Sequence, residues 1–242
     1  MNDDLEQLLA SLKMHRTREV LPRALDRAIR EQPGYDAFLA DLLREEYAYK
    51  RQKSLEYRIE HARIPELWTI ETFPFDQQPA VSAPVVRLLA GLDFIATGQN
   101  IVFIGPAGVG KTGLATGILY KALVNGHRGR FIRAQDLFDE IHASLLDRSS
   151  RRILNELCGY SILCIDELGY LNLKPEQTNI FFKLMEERYT AKKPTIITTN
   201  LDFEQWYDFL GQKPMVQALL DRVRHRCHTI QIDGTTLRSP TG

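Results

Sequence analysis

A glycine-rich octapeptide near the middle of the chain has the residue types and the spacing that bind phosphate. It reads Gly105-Pro-Ala-Gly-Val-Gly-Lys111-Thr112, follows the apolar run Ile101–Ile104 and precedes a helical pattern. Main-chain N–H groups of such a loop surround the phosphates, its lysine reaches the β and γ oxygens, and its hydroxyl completes the shell of a Mg²⁺ ion. The chain is therefore predicted to bind a nucleotide. The predicted nucleotide contacts are Gly105, Pro106, Ala107, Gly108, Val109, Gly110, Lys111, Thr112 and Gly113.

Two acidic residues, Asp166 and Glu167, directly follow the apolar run Ile162–Ile165. Ligands of parallel sheets bind beyond the carboxyl ends of the strands, so this pair is predicted to face the phosphate loop. Asp166 can hold Mg²⁺ and Glu167 can polarise the attacking water, which favours hydrolysis. The alternative is a pair of acids that closes a strand on a solvated turn.

Two further residues are candidates for catalysis. Asn200 follows the apolar run Thr195–Thr199, where its amide can hold the lytic water or a γ-phosphate oxygen; the alternative is an ordinary turn residue. Arg222 lies in a basic segment, and an arginine from a neighbouring subunit can stabilise the charge that develops on the γ-phosphate. Its alternatives are a cation at a helix C-terminus and a DNA contact. Lys111, Glu167, Asn200 and Arg222 form the predicted catalytic set, and Thr112 and Asp166 the predicted metal ligands.

Composition limits the class of protein. The 242 residues, 44% of them hydrophobic, can bury a substantial core, and 31 basic residues balance 31 acidic ones. Any basic surface must therefore come from local sorting of charge. The three cysteines lack paired spacing and are interpreted as reduced and structural. The acidic start and the absence of an apolar run of about 20 residues predict a cytoplasmic protein without a membrane partner.

The sequence pattern divides the chain into three parts. Residues 1–65 carry leucines at helical spacing and are predicted to form a small helical domain that binds DNA or a partner. Residues 66–83 are predicted to be an irregular connector, and residues 84–242 an ATPase domain. Two basic clusters in the first part are either a DNA-binding surface or ordinary solvated helix faces. They comprise Lys13, Arg16, Arg18, Arg23, Arg27 and Arg30, and then Lys50, Arg51, Lys53, Arg58 and Arg63.

Apolar runs alternate with helical patterns in the third part, which predicts a five-stranded parallel sheet sandwiched by helices, the α/β class. Pro175 is well placed to begin one of these helices. The predicted strands are 100–104, 130–133, 161–165, 195–199 and 228–232, and the predicted helices are 111–124, 135–146, 175–191 and 214–226.

Four stretches follow one another along the chain: GPAGVGKT at 105–112, CIDELGYL at 164–171, TIITTN at 195–200 and ALLDRVRHRCHTI at 218–230. Together they resemble the IstB-type insertion-sequence helper ATPases, in the DnaC-like branch of the AAA+ group. The resemblance covers nearly the whole chain. It implies that Lys111, Thr112, Asp166 and Glu167 are the Walker A and B groups, Asn200 sensor 1 and Arg222 the trans-acting finger.

The resemblance also implies an AAA+ sheet without the C-terminal helical lid, where Arg238 can partly replace a lid arginine. Gly113 departs from the pattern, since relatives commonly have a bulkier polar residue there. Glycine in a first helical turn costs up to about 1 kcal/mol relative to alanine.

The implied activity is Mg²⁺-dependent ATP hydrolysis by a homo-oligomer that assembles with ATP on duplex DNA. Such an oligomer deforms target DNA and recruits or stimulates a cognate transposase. Segment 213–226 and the basic clusters are expected to face the DNA. One alternative is a DnaC-type loader of a replicative helicase, whose ATPase core would look nearly alike. A remote alternative is a small-molecule P-loop kinase.

Overall fold

The computed structural model describes residues 3–169, 173–211 and 214–237. They form two compact units, which divide between Tyr57 and Arg58. No helix within these ranges is long and apolar enough to cross a membrane.

The first unit is helical, as the sequence predicts. Its small core contains Leu9, Leu21 and Leu42, one from each helix. The buried Glu46 carboxylate accepts a hydrogen bond from Thr17 N at 2.8 Å, near the start of the second helix, where main-chain N–H groups lack helical partners. The helices are α1 (Asp3–Ser11), α2 (His15–Glu31) and α3 (Tyr35–Ala62), the last of which continues into the second unit.

The second unit contains a five-stranded parallel sheet, which confirms the predicted fold class. Its strand order is β2-β3-β4-β1-β5, so β1 lies between β4 and β5 and β3 lies beside β4. The buried positions of β1, β3 and β4 do not alternate, because helices cover both faces. The strands are β1 (Asn100–Ile104), β2 (Gly129–Arg133), β3 (Ile162–Leu168), β4 (Thr195–Thr199) and β5 (Cys227–Gln231).

Helices pack on the two faces in two hydrophobic clusters. One cluster includes Phe138, Phe181 and Leu219, and the other includes Leu114 and Ile118. The four predicted helices are present within one residue of their predicted ends. The helices of this unit are α4 (Ala83–Leu89), α5 (Asp93–Thr97), α6 (Lys111–Val124), α7 (Ala134–Leu146), α8 (Ser150–Gly159), α9 (Pro175–Thr190), α10 (Phe203–Phe209) and α11 (Pro214–His225).

The sequence pattern missed the short helices α4, α5, α8 and α10. For α10 a signal was available: Asp202 Oδ1 accepts from Gln205 N at 2.7 Å, and Gln205 Oε1 accepts from Asp202 N at 2.9 Å. This is a capping box, which is readable as an acid followed three residues later by glutamine.

A buried arginine joins three elements at the start of β4. Arg188, on α9, donates to the main-chain oxygens of Leu157, Tyr160 and Pro194 and to Thr195 Oγ1. Burial lowers its pKa to about 10, so it remains charged at neutral pH. These bonds hold α8 and α9 together near the amino-terminal end of β4.

Candidate functional site

The glycine-rich loop connects the carboxyl end of β1 to the first turn of α6. Gly110 caps this helix with a φ of 95°, in the left-handed region that favours glycine. A Cβ atom there would lie 2.7 Å from the Phe73 ring, so glycine is also needed for space. The loop thus brings main-chain N–H groups to a helix amino terminus, an arrangement that binds anions.

The Lys111 ammonium group lies against the loop that precedes it. Its Nζ donates to the main-chain oxygens of Gly105 at 2.7 Å and Pro106 at 2.6 Å. The positive charge is therefore held within the loop, where a phosphate-binding lysine is required.

The structure brings the two predicted metal ligands together. Thr112 Oγ1 donates to Asp166 Oδ1 at 2.9 Å, and Asp166 is only 3% exposed. A hydroxyl and a carboxylate are hard oxygen donors, and Mg²⁺ is bound in proteins by such donors together with water and phosphate oxygens. The side chains present therefore fit a magnesium ion.

Glu167 lies within β3 rather than after it, which corrects the predicted end of this strand at Ile165. The ladder shifts register between Ile165 and Leu168, and Glu167 has a φ of 59°. An apolar pattern cannot reveal this irregularity, because the hydrophobic run stops where the strand continues. The Glu167 side chain is exposed beside the buried Asp166.

Asn200 follows the last residue of β4, next to the end of β3. A Cβ atom on Gly169 would lie 3.0 Å from Asn200 Oδ1. This oxygen is buried and has no hydrogen-bond partner among the described residues. A buried acceptor without a donor is rare in proteins and is the feature expected of a group that binds a water or a ligand.

Arg222 lies near the amino-terminal ends of the strands, whereas the loop of its own chain follows the carboxyl end of β1. It lines a small cavity with Asn100 and Thr195, the first residues of β1 and β4. The loop follows the last residue of β1, and a strand of this length spans about 15 Å. Arg222 Nη1 pairs with Glu186 Oε1 at 3.1 Å, and its guanidinium lies over the Phe182 ring. The structure does not bring Arg222 to Lys111 within one chain.

Two other arginines of the same segment also lie over aromatic rings, Arg224 over Phe203 and Arg226 over Tyr189. Lys213 and Arg238 lie outside the described residues.

Sequence reasoning missed a clasp formed over the loop by the connector and the chain after β5. Gln78 Nε2 donates to Val109 O at 3.3 Å and to Thr235 O at 2.8 Å. Leu237 N donates to Gly108 O at 2.8 Å. These bonds join residues far apart in sequence, so neither periodicity nor a motif indicated them.

Trp68, also in the connector, gives a packing reason for glycine at position 113, where a bulkier polar residue was expected. A Cβ atom on Gly113 would lie 3.3 Å from the indole ring, which is tighter than usual contact. Glycine therefore allows Trp68 to pack against the first turn of α6.

The clasp can be tested through Gly234, where a Cβ atom would collide with Gln78 Oε1. Because Gln78 is fully buried, we expect Gly234→Ala to lower the free energy of unfolding by about 1–3 kcal/mol. Thermal unfolding should then occur about 2–10 °C lower. The matched control is Gly159→Ala, since nothing lies within 4 Å of that Cβ position. Equal melting temperatures for the two variants would contradict the clasp.

A cleft in the first unit is rich in arginine. It has a volume of about 520 Å³, and five guanidinium groups against two carboxylates give it an excess of positive charge. Phe38 and Leu42 contribute apolar lining. Four of the arginines belong to the first predicted basic cluster, and Arg23, Arg27 and Arg30 are exposed. The charged residues are Arg16, Arg23, Arg27, Arg30, Arg44, Asp41 and Glu45.

Comparisons with known proteins identify similar sequences and similar folds. The family model described as "IstB-like ATP binding protein" matches residues 7–241. A protein of insertion sequence IS21 from Pseudomonas aeruginosa is 35% identical over 97% of this chain and 88% of its own length. One of IS5376 from Geobacillus stearothermophilus is 34% identical over 85% of this chain and 81% of its own.

Two solved structures are similar in fold. DnaI has a TM-score of 0.59 at 21% identity, over 74% of this chain and 93% of its own. The DnaC helicase loader has a TM-score of 0.54 at 23% identity, over 62% of this chain and 88% of its own. The sheet and its flanking helices therefore have the P-loop AAA+ fold.

Proposed function

The chain belongs to the IstB-like ATP-binding protein family, as its four motifs indicated, and from this premise we propose that it is a Mg²⁺-dependent ATPase of DNA transposition. It assembles with ATP on duplex DNA in the cytoplasm, deforms that DNA, and recruits or stimulates a cognate transposase. The observation that carries the ATPase proposal is the contact between Thr112 and Asp166, with the exposed Glu167 as the next residue.

Each side chain has a separate task in the proposed hydrolysis. The loop amides and Lys111 hold the phosphates of ATP, and Glu167 accepts the proton of the attacking water. Asn200, with its buried unpaired oxygen, orients that water or a γ-phosphate oxygen. Thr112 and Asp166 hold Mg²⁺, directly or through water, and this ion supplies charge stabilisation at the transferring phosphoryl group.

Phosphate release from ATP by the purified chain tests the proposal. We expect release with Mg²⁺ and its loss after chelation, in the presence of duplex DNA. Absence of release under all of these conditions would contradict it.

The position of Arg222 supports a shared active site. Because Arg222 lies near the amino-terminal ends of the strands, it cannot stabilise the charge on the γ-phosphate of ATP bound to its own loop. A head-to-tail interface would place it at the loop of the next subunit, and such interfaces form rings or filaments. The Glu186 carboxylate and the Phe182 ring hold its guanidinium at the surface.

The arginine cleft of the first unit is the proposed DNA contact. Its excess of positive charge suits phosphate binding, which gives affinity without sequence preference. This agrees with a helper protein that has little preference for the sequence of its target DNA. Zero net charge is no obstacle, since the cleft is locally basic.

We expect Arg23→Ala to weaken duplex DNA binding similarly for unrelated sequences. The slope of log affinity against log salt concentration should fall by about one for each phosphate group that the variant no longer neutralises. Binding titrations over a range of salt concentrations measure both effects. Arg87→Ala, an exposed arginine of α4, is the matched control and should leave the slope unchanged. An unchanged slope for Arg23→Ala would exclude this cleft as the DNA contact.

The partner can be identified by a pull-down with the transposase of the same element and with a replicative helicase. We expect ATP-dependent capture of the transposase. Capture of the helicase alone would support the loader alternative instead.

A further inference from the structure

One buried hydroxyl group contacts both acidic residues at the end of β3. Thr198 is 0% exposed, and its Oγ1 donates to Asp166 Oδ1 at 2.6 Å. The same oxygen accepts a hydrogen bond from Glu167 N at 2.9 Å. Chemistry fixes these directions, because an ionised carboxylate only accepts and a main-chain N–H only donates. The Thr198 hydroxyl therefore donates its only proton to Asp166 and accepts a hydrogen bond from Glu167.

The β3–β4 ladder explains why a hydroxyl is needed there. Ile165 pairs with Ile197 and Leu168 with Thr199, so Asp166 and Glu167 together lie opposite Thr198 alone. An extra residue in one strand of a ladder is a β-bulge, which leaves a main-chain group unpaired and redirects a side chain. Here the Glu167 N–H donates to the Thr198 hydroxyl instead of to a main-chain oxygen.

The bulge also holds Glu167 in an unfavourable conformation. Its φ of 59° lies in the left-handed region, which residues with a Cβ atom rarely adopt. Such a conformation persists only where surrounding contacts maintain it. The bond from Glu167 N to Thr198 is one such contact, and the Glu167 side chain is exposed while Asp166 is buried.

We propose that Thr198 is a positioning residue for both acids, an inference that rests on the proposed ATPase function. Its hydroxyl maintains the bulge that exposes the Glu167 carboxylate. It also fixes the Asp166 carboxylate, whose Oδ1 receives the Thr112 hydroxyl as well. Thr198 thereby sets the position of the proposed base relative to the proposed metal ligand, although it has no role of its own in the reaction.

Two substitutions separate the hydroxyl from the rest of the side chain. Thr198→Val keeps the branched shape and the preference for a strand but removes the donor and acceptor. Thr198→Ser keeps the hydroxyl and removes only a methyl group. Ser144→Ala is the control for removal of a buried hydroxyl: Ser144 lies on α7, is 1% exposed, and donates to Ile141 O at 2.7 Å.

We expect Thr198→Val to lower kcat for ATP hydrolysis about 10- to 100-fold, because small displacements of catalytic groups have effects of this size. The Kd for ATP should change less than about threefold, since the loop and Lys111 are untouched. Thr198→Ser should retain at least about a third of the wild-type kcat, and Ser144→Ala should match the wild type even where its melting temperature falls.

Amide hydrogen exchange supplies a readout that does not depend on activity. In Thr198→Val the Glu167 amide loses its acceptor, so peptides that cover residues 163–169 should exchange faster, whereas Ser144→Ala should leave them unchanged. Unchanged exchange, a wild-type kcat for Thr198→Val, or an equal loss of kcat in Thr198→Ser would each overturn the inference. A wild-type chain that releases no phosphate from ATP would instead contradict the proposed function.

Discussion

Replacing Glu167 by glutamine should leave ATP bound and reduce its hydrolysis at least about 100-fold, within the range for lost acid–base catalysis. Glutamine has nearly the same shape but cannot accept the proton of the attacking water. Binding should persist because the loop, Lys111 and Thr112 are unchanged. Equilibrium binding of ATP and steady-state phosphate release, both with Mg²⁺, measure the two effects separately.

Glu156→Gln is the control for this experiment, because Glu156 is an exposed carboxylate on α8. It should keep the wild-type rate. Unchanged turnover in Glu167→Gln would remove this residue from the mechanism, and loss of ATP binding would assign it to the binding site.

Mixing two inactive variants should restore hydrolysis if Arg222 acts on the next subunit. Arg222→Ala keeps an intact loop, and Glu167→Gln keeps an intact arginine and still binds ATP. In a 1:1 mixture, random head-to-tail pairing joins an intact loop to an intact arginine at roughly a quarter of the interfaces. We therefore expect up to about a quarter of the wild-type rate, measured over a series of mixing ratios.

Arg224→Ala provides the matched control, since Arg224 is exposed two residues further along the same segment. We expect it to hydrolyse ATP at nearly the wild-type rate without any mixing. Failure of the Arg222→Ala mixture to recover at every ratio would show that Arg222 does not act across subunits.

The sequence was sufficient for the parts of the fold that follow from periodicity. Strands buried on both faces are continuous apolar runs, and β1 and β4 have the bounds predicted for them. The contact of Thr112 with Asp166 was also foreseeable, because the carboxyl ends of all the parallel strands lie on one side of the sheet, although β4 separates β1 from β3. The short helices, of 5 to 10 residues, were missed because so few residues carry too little periodic signal to separate them from loops.

The geometry of the acidic pair was not predictable from the same pattern. The apolar run indicates which residues are buried, but the register of β3 against β4 depends on contacts between strands. The left-handed φ of Glu167 and the bond to Thr198 follow from that register. Nor did the sequence indicate that Gln78 joins the loop to the chain after β5, since its partners Val109 and Thr235 lie 31 and 157 residues away.

That separation has a consequence for the order in which the protein matures. A ribosome synthesises Gln78 and the glycine-rich loop long before Thr235 and Leu237, so the early chain can form local helices but cannot close the clasp. Contacts between distant residues form late in folding, because the intervening chain must first lose its freedom. Competence to bind ATP should therefore arise only after the segment that follows β5 has been made. In a refolding reaction, nucleotide binding should lag behind the recovery of helical circular dichroism.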